Sequence, residues 1–284
     1  MEQTVYEWRW QAAREQAKAD GLQIIEHGWE QHVIIDEACG IVYRYPRHKA
    51  AADKLADEVS VLRHIHKQEW LVALPIMLKH NSVCTSYKLI VGDVLDAGLL
   101  ASLSERAIVR IGAELGAFLV QLHTFDPVPI QRKKTKQTTT LYEYYKKRID
   151  SAHSTKIYQP AQAALAKLAA GLNTTKPVVV HGDLHGLNIV IDSTHQRVKG
   201  VIDLSEMEIG DPHQDFRKLF MTDPRLLAPA VTSYQANGGQ RLVIETVRTW
   251  AYVNEWANLC HFAKDTQHPT YKRALRHLQK WNQI

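Results

Sequence analysis

Short β-type runs mark the first third of the chain, and apolar positions at helical spacing mark most of the rest. Residues 4–20 predict a helix that Asp20 and Gly21 close. The runs 22–25, 33–36 and 41–45 predict three successive strands, with a turn at Glu37-Ala38-Cys39-Gly40 before the third. Over residues 50–66, Leu55, Val59, Leu62 and Ile65 fall on one helical face. Residues 77–79 and 86–91 predict a hairpin about Asn81 and Ser82. Beyond Gly92 and Asp93 the pattern turns helical. Ser102 and Glu105 form a candidate capping box ahead of Ile108, Ile111, Leu115, Leu119 and Leu122. Further helices are predicted at 142–152, 161–172, 212–220, 228–236, 241–262 and 270–281, and no internal repeat is visible.

Composition narrows the class without naming it. A chain of 284 residues, 45% hydrophobic and 23% charged, can bury a substantial core. No run of about 18 apolar residues exists to span a bilayer, and the N-terminal segment has neither the apolar core nor the cleavage site of a signal peptide. Cys39, Cys84 and Cys260 are odd in number and lack metal-type spacing, so reduced thiols in a cytoplasmic protein are expected. The net charge of +5 raises a nucleic-acid reading. Its dense basic run, 132–136, has no interleaved aromatic residue and no accompanying nucleic-acid motif, so a solvated loop is the better reading.

One stretch inside the helical part changes character. Residues 178–215 read VVVHGDLHGLNIVIDSTHQRVKGVIDLSEMEIGDPHQD. A β-branched run, Val178–Val180, delivers His181, Gly182 and Asp183 into a loop. Ile189, Val190 and Ile191 predict a second strand, 192–194 a turn, and 198–202 the return strand that ends at Asp203. Such a hairpin brings Asn188, just before its first strand, to Asp203, just after its second. A carboxylate and an amide oxygen at one mouth suit Mg²⁺, whose octahedron substrate phosphates complete. Asp183 stands apart from that pair, available to orient a nucleophile. Taken singly, each of the three also reads as turn chemistry at a strand end. Their ordered combination points to a phosphotransferase.

Asp183 and Asn188 stand five residues apart, as do the Asp and Asn of the protein-kinase loop H-R-D-x-x-x-x-N, and Asp203 fills the place of the downstream metal-binding Asp. His-Gly-Asp here, and Ile-Asp-Leu-Ser in place of Asp-Phe-Gly, point away from protein kinases. The stretch resembles the aminoglycoside/macrolide phosphotransferase family. Its HGDxxxxN hallmark matches His181 to Asn188, and its IDxxxxxxGDPxxD hallmark matches Ile202-Asp203 and Gly210-Asp211-Pro212-His213-Gln214-Asp215.

That resemblance implies an α+β, two-lobed, protein-kinase-like fold. It puts a small sheet-containing N-lobe at 1–91 and a larger, mostly helical C-lobe at 92–284. It implies that Asp183 aligns the acceptor hydroxyl and takes its proton, and that Asn188 and Asp203 hold Mg²⁺. Asp211 and Asp215 are then expected to brace the catalytic loop, and His181 to be structural. Nucleotide contacts are expected from Gly28 in a glycine-poor phosphate loop and from Leu89 and Val91 in a hinge at 87–91. Arg44 is expected to grip phosphate with Glu58 as its partner, where kinases carry a Lys. A surface arginine is the plainer reading of Arg44.

The donor implied is ATP or GTP and the acceptor a small molecule, with no nucleic acid, membrane or oligomer required. Arg44-Tyr45-Pro46-Arg47, Asp203-Leu204-Ser205-Glu206 and Tyr234 with Gly238-Gly239 resemble macrolide kinases, although those can carry His at the position of Asn188. A macrolide antibiotic is therefore the first expectation, with resistance as the consequence. An aminoglycoside is second, and a metabolic amino alcohol or sugar derivative third. A catalytically silent nucleotide-binding module is the reading from another class. Trp250, Tyr252, Trp256 and Phe262 could line an apolar acceptor pocket or simply form core.

Overall fold

The computed structural model describes residues 2–26, 30–126, 138–171 and 175–282. Two compact units divide the chain. One comprises Met1–Leu99 with Leu187–Met207, the other Leu100–Gly186 with Glu208–Ile284. The units thus interleave in sequence, where the motif reading has a single cut after residue 91. The cause lies in strand pairing, given below.

The first unit opens with α1 (Glu2–Ala19), followed by β1 (Gln23–Ile25), β2 (Gln31–Asp36) and β3 (Ile41–Pro46). Helix α2 (Lys49–Ile65) and the hairpin of β4 (Met77–His80) and β5 (Thr85–Lys88) complete an antiparallel sheet of order β1-β2-β3-β5-β4. Trp10 and Ala17 of α1 pack on Ile34 of β2, with Tyr43 and Tyr45 against them. Helix α2 buries Leu55, Val59, Leu62 and Ile65, the stripe its periodicity predicts, and buries Glu58 beside them. A second sheet joins β6 (Asp93–Val94) to β8 (Ile189–Asp192), and β8 to β9 (Arg197–Val201). Ala73 also bridges to Gly200. These pairings tie residues 187–207 to the first unit.

The second unit is largely helical. Its spine is α4 (Glu105–His123), whose Ile108, Ile111, Leu115, Leu119 and Leu122 have no exposed surface. Each such burial contributes about 1.5–3 kcal/mol. Against α4 lies α8 (Leu227–Ala236), at a distance set by glycine: a Cβ on Gly116 would stand 2.2 Å from the carbonyl oxygen of Ala230. The cap of α4 is Ser104, accepting from the N–H of Ala107 at 3.2 Å, and not the predicted Ser102. Ser102 is the last residue of a short helix, α3 (Ala97–Ser102), that the apolar spacing did not reveal.

Around this spine stand α5 (Thr138–Asp150), α6 (Tyr158–Ala169), α7 (His213–Thr222), α9 (Ile244–His261) and α10 (Pro269–Lys280). The predicted strand β7 (Val178–Val180) pairs antiparallel with an unpredicted partner, β10 (Glu208–Gly210). Trp250 and Trp256 are core, 1% and 2% exposed, with Tyr252 packed against the same cluster, while Phe262 stacks on His268. Trp250 and Trp256 therefore belong to the core. The indole rings of α9 pack with residues of α5, α6 and α10.

Candidate active site

In the first unit, β3 carries Arg44 into a largely buried position. Its Nη1 donates to both oxygens of Glu58, at 3.1 and 2.9 Å, and its Nε donates to Gln31. Its Nη2 donates to Oδ1 of Asp203 at 2.8 Å. Glu58, with no exposed surface, also accepts from Tyr87 Oη at 3.1 Å and from the N–H of Leu204 at 3.0 Å. Arg44 is thus an interior cation, and the surface reading of it does not hold. Burial alone would pull its pKa down, but the carboxylates of Asp203 and Glu58 outweigh burial and hold it above the ordinary arginine range. Burial pushes the Glu58 carboxyl up, and Arg44 opposes that shift.

Asp203 follows β9 with φ 62° and ψ 71°, the left-handed region that few non-glycine residues occupy. Arg44 from one side and Ser205 Oγ, donating to Oδ1 at 2.8 Å, hold it there. Asn188, 7% exposed, ends a 3₁₀ turn (Gly186–Asn188) at the start of β8. The N–H of Ile202 donates to its carbonyl at 3.0 Å, so Asn188 and Asp203 stand at the same end of the β8–β9 hairpin. Their oxygens are the hard donors Mg²⁺ takes, and a Mg²⁺ site needs few protein ligands because water and phosphates supply the rest. Among the described residues no group of three or more His, Cys, Asp or Glu is placed to hold a metal. A site of one carboxylate and one amide requires none.

Two further residues of this unit make contacts around the cluster. Lys54, on α2, donates to Glu30 at 2.5 Å and to Glu206 at 2.7 Å, and so ties the start of β2 to the turn after Asp203. Tyr87, at the start of the expected hinge, donates its hydroxyl to Glu58. Leu89 lies just past β5, where its N–H is spent on the carbonyl of Gly40 at 2.8 Å; Val91 is 65% exposed. Gly28 and the basic run 132–136 lie outside the described residues.

In the second unit, β7 leads into His181-Gly182-Asp183. Gly182 has φ 82°, a conformation that favours glycine and turns the chain so that Asp183 leaves the strand. Asp215, fully buried on α7, accepts from the N–H groups of His181 at 3.0 Å and Gly182 at 2.9 Å. Behind it His123 Nε2 lies 3.1 Å from Asp215, and His123 Nδ1 lies 2.9 Å from Tyr234 Oη. Asp215 therefore braces the loop. Asp211, expected to brace the same loop, takes the backbone N–H of His213 at 2.8 Å and its Nδ1 at 2.6 Å, contacts that cap the start of α7.

Asp183 meets Lys218 Nζ at 2.7 Å on Oδ1 and His185 Nε2 at 3.4 Å on Oδ2. Burial would raise its pKa, but His185 and Lys218 outweigh burial and hold the carboxyl well below the usual range. Lys218 was missed in the sequence. Its signal is the spacing Asp215, Lys218, Thr222, one face of a single helix.

Residues 21–276 match the model of a phosphotransferase enzyme family. No curated protein sequence matches the chain significantly. Among solved structures, the chain is similar to the GDP and kanamycin complex of APH(2")-IIia, with a TM-score of 0.75 and 17% identity over 91% of this chain and 92% of that one. It is similar to macrolide 2'-phosphotransferase type I, with a TM-score of 0.67 and 21% identity over 90% of each chain. It is also similar to the apoenzyme of macrolide 2'-phosphotransferase MphH from Brachybacterium faecium, with a TM-score of 0.69 and 18% identity over 89% of each. At these identities the likeness shows the fold, a kinase-like one with a small antiparallel sheet and a larger helical part. Among the described residues no helix is long and apolar enough to cross a membrane.

Proposed function

Because this chain belongs to the phosphotransferase enzyme family, we propose that it moves the γ-phosphoryl of ATP or GTP to a hydroxyl of an antibiotic-like small molecule, a macrolide first. The observation that carries the reading is the trio of Arg44, Glu58 and Asp203, in which a buried cation is held between a structural carboxylate and a metal-type carboxylate. A silent nucleotide-binding module would have no need of an Asp183 placed five residues before Asn188.

Phosphoryl transfer asks mainly for positioning and charge stabilisation. Arg44, oriented by Glu58, supplies a planar cation for the nucleotide phosphates. Asn188 and Asp203 would hold Mg²⁺, which when bound neutralises and orients phosphate oxygens. Asp183 accepts a hydrogen bond from the acceptor hydroxyl. As the acceptor oxygen bonds to phosphorus, the bond from phosphorus to the nucleoside diphosphate breaks, and the hydroxyl proton passes to Asp183. A carboxylate of such low basicity works chiefly by orientation and takes the proton late.

Macrolide over aminoglycoside rests on the motif likenesses and on charge. A polycation calls for collected carboxylates. Four buried carboxylates of the second unit are matched internally: Asp211 by His213, Asp215 by His123, Asp223 by Arg225 and Glu255 by His277. Lys218 on Asp183 adds a cation at the candidate reaction centre. Resistance, a cytoplasmic location and action without an oligomer follow as parts of the same proposal. A transfer assay across macrolides, aminoglycosides and amino alcohols, with ATP and GTP in parallel, tests it. Macrolide phosphorylation supports the reading, and turnover confined to aminoglycosides or metabolites replaces it.

A further inference from the structure

Helix α7 meets the loop that carries Asp183 at three successive levels. Near its start, Asp215 takes the N–H groups of His181 and Gly182. One turn later Lys218 Nζ reaches Asp183 Oδ1 at 2.7 Å. A further turn on, Thr222 Oγ1 accepts from the N–H of Gly186 at 2.9 Å and donates to the carbonyl of Lys218 at 3.0 Å. Residues 215, 218 and 222 share one helix face, so α7 clamps residues 181–186 from end to end. The outer two contacts fix backbone. The middle one fixes the carboxylate itself.

We infer that Lys218 is a positioning residue for phosphoryl transfer, pinning one oxygen of Asp183 so that the carboxylate plane is set for the acceptor hydroxyl. The inference rests on the reading of Asp183 as the residue at that hydroxyl. A carboxylate's last torsion is broad and easily turned, and a charge-assisted bond of 2.7 Å on Oδ1 removes that freedom. Oδ2 has His185 Nε2 at 3.4 Å, longer than the usual N–H···O distance. A carboxylate oxygen accepts more than one hydrogen bond, so a hydroxyl can join there. The Lys218 side chain is 23% exposed, and a lysine so placed is costly unless matched in charge. Burial lowers its pKa, Asp183 opposes that shift, and Arg217 and Arg273 add to it. Against burial, His185 and Lys218 together hold the Asp183 carboxyl below the usual carboxylate range, and Lys218 does so through the short contact on Oδ1.

The test compares wild type, Lys218→Met and Lys218→Arg in three readouts: the kcat and KM split, the pH–rate profile, and the ¹³C titration of the Asp183 carboxyl. Asp183→Asn supplies the assignment of that signal. A carboxylate misplaced by about 1 Å costs about 10²-fold in rate. Lys218→Met is expected to lose kcat on that scale while nucleotide KM changes less than about twofold. Its acidic limb and its Asp183 titration both move to higher pH, and Lys218→Arg restores most of the rate. An unchanged kcat and acidic limb in Lys218→Met overturn the inference. If wild type transfers phosphate to no acceptor, the functional reading fails on its own, and the titration still decides. An unmoved Asp183 signal in Lys218→Met then overturns the role given to Lys218, and a signal moved upward sustains it.

Discussion

Arg44 Nη2 lies 2.8 Å from Asp203 Oδ1 while its Nη1 spans both oxygens of Glu58, so the candidate phosphate grip and the candidate metal ligand are a single ion cluster. The cluster holds Asp203 in its left-handed conformation and sets Arg44 against the burial that pushes the Glu58 carboxyl up. Changing any one of the three disturbs the others, and mutant effects among them are expected to be non-additive.

Replacing Arg44 separates its two roles. Arg44→Ala strands Glu58 as a buried carboxylate, at a cost of about 3–5 kcal/mol in stability. Arg44→Lys keeps the charge but loses the forked geometry, and should retain partial activity and most of the stability. Urea unfolding and steady-state kinetics on both variants check this. Equal, mild effects would remove Arg44 from the phosphate site and pass the role to Lys54 or Lys49.

For Asp203 the informative variant is Asp203→Asn, because Asn tolerates a positive φ and deletes only the charge. Supporting partners of a metal typically contribute about 10–100-fold in affinity, and a direct ligand should contribute at least as much. Mg²⁺-dependent nucleotide affinity by calorimetry should fall on that scale, and metal-free nucleotide binding should change little. Undiminished Mg²⁺-dependent affinity would contradict the hairpin site.

How much of this was legible in the sequence depends on the kind of signal. The α2 and α4 stripes were legible because burial on one helix face imposes a period. Glu58 was legible as the partner of Arg44 by its place on the helix after β3. Lys218 was not, since its contact with Asp183 crosses 35 residues and depends on how α7 lies on the loop. Ser104 and not Ser102 caps α4, because Ser102 closes α3, a helix of six residues too short to leave a periodic trace. Trp250 and Trp256 could be core or pocket from spacing alone, and packing among α5, α6 and α10 decided for core. Strand β10 was missed because three residues, Glu208–Gly210, are too few to show alternation.

Acid should unfold the second unit partly through Asp215. Burial raises its pKa, but His123 and His181 outweigh burial, and the folded value lies below the ordinary one. A depressed carboxyl contributes stability fully above the unfolded pKa of about 3.9 and loses it as pH falls through the folded pKa. Stability should therefore decline as pH drops below about 4–5. Asp215→Asn should be less stable at neutral pH and show a flatter decline. Urea midpoints between pH 3 and 6 measure both, and parallel curves would contradict the assignment.

The acceptor reading makes a prediction about salt. Without collected carboxylates, acceptor KM should vary little with ionic strength, although screening shortens electrostatic reach from about 8 Å at physiological salt to about 3 Å at 1 M. A polycation held by carboxylates would bind markedly less well over that range. Robust aminoglycoside phosphorylation with a steep salt dependence would remove the macrolide preference and leave Asp183 and the metal pair as they stand.

The most direct test follows labelled γ-phosphoryl from nucleotide to macrolide in a single turnover, with wild type and Asp183→Asn at saturating Mg²⁺–nucleotide. Loss of a positioned proton acceptor costs about 10²–10⁴-fold in rate. The account predicts label on the macrolide with wild type, a loss of that size in Asp183→Asn, and nucleotide binding retained in both. Transfer by Asp183→Asn at the wild-type rate would contradict it.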